Sequence, residues 1–138
     1  MTGTLEVLIS YTPYLVLLLR VVVGVTMILH GLPKLKNPKQ AIQWTNGLGV
    51  PAIATYLAII LEFFGGIALV IGFLVPIVAF FFVLEMIGTT LLKRLKMKAP
   101  YLQTAPGAYE IDVTYLLLAL ALLVLGAGAL SIDAIIGL

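Results

Sequence analysis

Four stretches of the chain run almost unbroken through Leu, Val, Ile, Phe and Ala: residues 13–32, 52–74, 76–92 and 109–130. A helix rises about 1.5 Å per residue, so crossing about 30 Å of hydrocarbon takes about 20 residues. Each stretch therefore reads as a membrane-spanning helix. Pro13 opens the first, at a helix position where a missing N–H costs little. The link around 72–76 is so short that the second and third spans must run antiparallel. Between the first two spans, residues 33–51 are polar and interrupted by Pro33, Pro38, Gly47, Gly49 and Pro51. A short interfacial helix near 38–45 fits there, with Trp44 anchoring it among the headgroups. The pattern predicts an all-α integral membrane four-helix bundle, a single transmembrane domain over residues 1–138 with basic loops at 33–51 and 93–108.

Composition agrees with lipid as the solvent. The 138 residues are 62 % hydrophobic and 10 % charged, against about 25 % charge in an average soluble domain. No cysteine is present, which excludes disulfides, thiolate metal sites and iron–sulfur ligation. The one histidine, His30, cannot form a bis-histidine haem site alone, and no metal site is expected. A net charge of +2 does not suggest nucleic acid. A cleaved signal peptide is not expected, because the N-terminal stretch carries Glu6 and lacks a basic cluster. Placement of charge is more telling. Lys34, Lys36 and Lys39 fall in one loop, Lys93, Arg94, Lys96 and Lys98 in the other, and Arg20 is the only other basic residue. With four spans both loops share a side, predicted to be the cytoplasmic one, with both termini outside a plasma membrane. Contact with anionic headgroups would explain these loops without a specific partner.

Three ionisable residues fall inside the spans: Arg20, Glu62 and Glu85. Each is costly at mid-membrane unless paired or hydrated. Small residues follow each at helical offsets: Gly24, then Gly65 and Gly66, then Gly88 with Thr89. Such residues mark packing faces, so the charges should point into the bundle. Counted from the outer end, Arg20 lies about seven residues deep, Glu85 about nine and Glu62 about twelve, within about 7 Å of one another. The expectation is a cluster in which one Glu pairs with Arg20 and the other is proton-bound near neutral pH. Two roles stay open: handling protons or a polar ligand head, or a static network fixing helix register. His30, near the inner end of the first span, can relay protons or hydrogen-bond a ligand. Glu110 and Asp112 open the fourth span, where acids complement the helix dipole. They share His30's level and form a second tier of candidates. Ser131 and Asp133 read as turn or helix caps.

The run Arg20-x-x-x-Gly24, then His30-Gly31-x-x-Lys34-Leu35, resembles the first helix of the DoxX family. Gly49-Val50-Pro51 resembles the turn before that family's second helix, and Glu62-x-x-Gly65-Gly66 with Gly72 the second helix itself. Gly126-Ala127-Gly128-x-x-Ser131-x-Asp133 resembles its closing motif. The third span is matched by hydrophobicity alone. The resemblance implies a four-helix membrane protein associated with quinone-linked oxidoreductase systems. Three functions follow as expectations. The first is a small subunit of such a complex, with quinone as the ligand and Arg20, Glu62, Glu85 and His30 around its head. The second is a structural subunit that holds a larger complex or homo-oligomer together. The third is a small-molecule binder or transporter. No residue is expected to be catalytic in the chain alone.

Overall fold

The structure is a computed structural model that describes residues 2–104 and 106–138. Every regular element among the described residues is helical. A short helix α1 (Thr2–Ser10) leads almost directly into α2 (Thr12–Lys36). Next come α3 (Pro38–Gly47), α4 (Ala52–Ile71), α5 (Val75–Lys96), α6 (Glu110–Leu125) and α7 (Ile132–Ile136). Three helical runs are long and apolar enough to cross a membrane: Gly3–Lys36, Ala52–Ile71 and Val75–Lys96. Helix α6 has 16 residues, about 24 Å of rise.

The ends of these elements have local causes. Helix α2 continues through Pro33, where the sequence predicts a loop, and stops at Asn37. Proline removes one N–H from the last turns, which is tolerated near a helix end where solvent and side chains can take up the freed carbonyl. Asn37 then caps α3 by accepting the Gln40 N–H at 3.4 Å. Helix α4 ends on Gly72 (φ +75°), whose neighbour Phe73 donates back to Ala68 O at 2.8 Å. The start of α5 is capped from far along the chain: Asp133 accepts from the N–H groups of Leu74 (2.7 Å) and Val75 (3.0 Å). Helix α6 stops earlier than the apolar run does. Gly126 and Gly128 both take positive φ, and residues 126–131 run back irregularly to α7.

Helix α2 packs against the whole of α4, and α5 packs along α6. The shared core includes Val23, Met27, Leu69, Val75, Phe82 and Leu122. Outside it the helices are apolar on their open faces as well, as at Leu18, Leu57, Phe80 and Leu117. A soluble protein exposes large apolar patches of only limited extent. A surface apolar all round the bundle is that of a multi-pass membrane protein, with lipid contacting it.

Candidate functional site

The α2–α4 contact is set by glycine. A Cβ on Gly31 would lie 2.8 Å from Phe63 N and 2.9 Å from Glu62 Cβ, so only glycine lets α2 approach there. One turn later on the same face, Lys34 reaches Glu62. Its Nζ donates to Oε1 at 2.5 Å and to Oε2 at 2.8 Å. Glu62 is 5 % exposed and sits within a π turn, Leu61–Gly65, inserted into α4. Such insertions widen one turn, shift the helix face by a residue, and occur often at functional sites.

Beside this pair lies a cavity of about 810 Å³. It opens between the far halves of α4 and α5, and α3 forms a third wall. The lining is mainly apolar, from Ala54, Ala58 and Ile59 of α4 and Leu91, Leu92 and Leu95 of α5. Its polar groups are few: the Lys34–Glu62 pair, Glu85 and Thr89, Thr55, and Gln40, Trp44 and Thr45 of α3. A 2.6 Å hydrogen bond between the Thr45 and Thr55 hydroxyls ties α3 to α4 across one edge. A second π turn, Leu92–Lys96, lies on the opposite wall. Both irregular turns of the long helices thus border one space. Glu85 faces Glu62 within interaction range, and its Oε2 is buried with no hydrogen-bond partner.

The grouping differs from the one expected from the sequence. Glu62 and Glu85 do come together, but Arg20 does not join them. Arg20 is 1 % exposed and lies at the other end of the α2–α4 pair, against Gly72. Its guanidinium donates to Ala127 O, to Leu130 O at 2.8 Å and to Val70 O at 3.5 Å. Asp133 is its charged neighbour. The depth count began at Pro13, yet α1 and α2 form a run of 34 residues that projects past the turn at Gly72. Arg20 is therefore shallower than that count allows, and eleven residues of α2, about 16 Å, separate it from Gly31 beside Glu62.

The other candidates fall at the cavity's end of the molecule but outside the cavity. His30 is exposed and packs its ring edge-on to Tyr115, centroids 6.2 Å apart. Asp112 accepts from Lys93 Nζ at 2.6 Å, which joins the end of α5 to the first turn of α6. Glu110 accepts the Gln103 N–H at 3.0 Å. Sequence reasoning missed Lys34, because Pro33 suggested that the helix had ended. The signal was present: Lys34 follows Gly31 by three residues, on the packing face. It also read Trp44 only as a headgroup anchor, whereas it lines the cavity.

A helical, multi-pass membrane protein with a mostly apolar cavity and a compact charged head is the class these features define. The chain belongs to the DoxX family, whose model matches residues 15–94. It is also 32 % identical over 117 residues to a Bacillus subtilis (strain 168) protein named "Putative oxidoreductase CatD", an alignment covering 85 % of this chain and 83 % of that one. No solved structure gives a significant match.

Proposed function

We propose that the protein is a small membrane subunit of a quinone-linked oxidoreductase, and that the cavity between α3, α4 and α5 receives the quinone head. The observation that carries this reading is the cavity itself, roomy and apolar, with Lys34, Glu62 and Glu85 converging at one end. Pockets of this size with a few convergent polar groups are the usual form of a small-molecule site. The family membership and the oxidoreductase name of the Bacillus relative favour redox over other ligand classes. A bound quinone would supply two-electron chemistry coupled to proton exchange. The chain's own part is to hold the head and exchange protons. Lys34, with its side chain 41 % exposed, connects the outside to the 6 % exposed Glu62 side chain. Glu85 stands next to Glu62, on the cavity wall. Exposed Leu91 and Leu95 at the rim leave a path for an apolar tail into lipid.

Trp44 gives a direct test, because it is the only tryptophan and it lines the cavity. A short-chain quinone titrated into protein in nanodiscs is expected to quench its fluorescence saturably. Glu62→Gln, which removes the charge that Lys34 pairs with, is expected to weaken binding about tenfold. Absence of saturable quenching, together with no quinone in lipid extracts of the purified protein, would overturn the proposal. Oxidoreductase subunits co-purifying at fixed ratio would support the complex.

We further propose that α6 is a fourth crossing, with the basic loops in the cytoplasm and both termini outside the plasma membrane. The Lys93–Asp112 pair fixes the start of α6 at the basic end, and Asp133 N–H donates to Gly72 O at 2.9 Å at the other. The chain thus passes from one end to the other between these points. Single cysteines are clean reporters, since the chain has none of its own. In intact cells, Ser10→Cys is expected to react with an impermeant maleimide and Lys98→Cys to be protected. The reverse pattern would invert the topology.

A further inference from the structure

Resting on the reading of the cavity as a quinone site, we infer that α3 is a hinged strap over it, latched by the hydroxyls of Thr45 and Thr55, which lifts to let the ligand head in and out. The cavity has three walls, and two of them are fixed. Helices α4 and α5 are held in the bundle by core residues such as Leu69, Phe82 and Met86. Helix α3 lines the cavity with Gln40, Ala41, Trp44 and Thr45, yet none of its 10 residues is buried. Among the described residues, the 2.6 Å contact between the Thr45 and Thr55 hydroxyls is the one hydrogen bond that ties α3 to α4 or α5. Thr45 Oγ1 also lies 3.1 Å from both Ala41 O and Ile42 O, so it can give its hydrogen within α3 and accept from Thr55.

Both ends of α3 are built to turn. Asn37 leaves helical geometry (φ −137°, ψ 70°) just before Pro38. At the other end Gly49 takes φ +84° with open space around it, and Pro51 is extended. Lifting the strap costs little. Lys39, Gln43 and Asn46 are exposed already, and the apolar side chains it uncovers meet lipid rather than water, where apolar surface carries no penalty. A segment with few buried contacts opens locally for far less than the free energy of global unfolding. The rim at Leu91 and Leu95 gives a tail its exit, whereas the wider head passes where a wall can move.

The test clamps the strap. Thr45→Cys with Thr55→Cys, in a chain free of other cysteines, places two thiols where the hydroxyls touch. The double variant is compared in nanodiscs after oxidation and after reduction, each desalted before use. Stopped-flow quenching of Trp44 by a short-chain naphthoquinone reads entry and release. The cross-link is expected to slow both by about tenfold or more. Thr55→Val, which removes the latch but keeps the shape, is expected to speed both by about fivefold, and it serves if the disulfide does not form. Hydrogen exchange of the α3 amides reads the motion without any ligand, and the cross-link is expected to slow it. Equal entry and release rates in the oxidised and reduced forms, or in Thr55→Val and the unaltered protein, overturn the strap and send the head between α4 and α5. Exchange as slow in the reduced form as in the oxidised one overturns it whatever the ligand is. Exchange that the cross-link slows, with no quenching in either form, upholds the strap and overturns the quinone reading instead.

Discussion

Arg20→Leu is expected to cost about 4 kcal/mol of stability while leaving affinity at the cavity unchanged in the protein that folds. Arg20 is 1 % exposed and its guanidinium is the donor for three backbone carbonyls, those of Val70, Ala127 and Leu130. Two of these belong to the irregular segment 126–131, which has no helical ladder of its own. Non-helical backbone at membrane depth persists only where protein groups satisfy it. Leucine fills most of the space but donates nothing, so three acceptors lose their partner and Asp133 loses its charged neighbour. Arg20→Lys is expected to rescue little, because an ammonium is a point donor and cannot serve carbonyls spread across a planar fork. Thermal or SDS unfolding in detergent measures the loss, and quinone titration of the surviving fraction measures the site. A variant of normal stability whose ligand affinity falls tenfold would return Arg20 to the site. Asp133→Ala should show a related but smaller loss, about 2 kcal/mol, since it uncaps the first turn of α5 at Leu74 and Val75.

How far the sequence discloses this arrangement depends on which physical rule each element obeys. The long helices are legible because lipid leaves few alternatives to a continuous apolar run. That Glu62 faces inward is legible from Gly66 four residues later, since a glycine in a membrane helix marks close approach. The end of α2 is not legible. A proline near a helix end is compatible with both continuing and stopping, and tertiary contact between Gly31 and Glu62 decides in favour of continuing. Arg20's depth is misjudged because a 34-residue helix is longer than the bilayer's hydrocarbon, so its first proline is no depth marker. The π turn at Leu61–Gly65 leaves no trace in a periodicity taken as 3.6. Without it the face carrying Glu62 is drawn a residue out of place. Pairing is harder still. Lys34 and Glu62 are 28 residues apart, and their meeting depends on the register of two helices, which hydrophobicity does not encode.

That register rests on a close contact between two glycines, and Gly24→Val is expected to lose most of the folded protein. A Cβ at Gly24 would lie 2.6 Å from Gly66 O and 2.8 Å from Val70 Cγ2. The reciprocal contact is as tight: a Cβ at Gly66 would lie 2.7 Å from Gly24 O. Each glycine therefore opposes the other's backbone carbonyl, and a carbonyl held in a helical ladder cannot rotate aside as a side chain can. Overpacking usually costs about 1–3 kcal/mol. Against backbone on both helices the cost belongs at the upper end, about 3 kcal/mol, and the helices must separate along their whole contact. The consequence reaches the cavity, because separating α2 from α4 draws Lys34, about three turns further along α2, away from Glu62. Gly24→Ala is expected to be milder than valine but still damaging, since the first added carbon already meets the carbonyl. Gly88→Ala is the control: nothing lies within 4 Å of its Cβ, so stability should be kept. Monodisperse yield by size exclusion and unfolding midpoints read the series. If Gly24→Val matched Gly88→Ala in both, the close approach of α2 and α4 would not be what sets the register that brings Lys34 to Glu62.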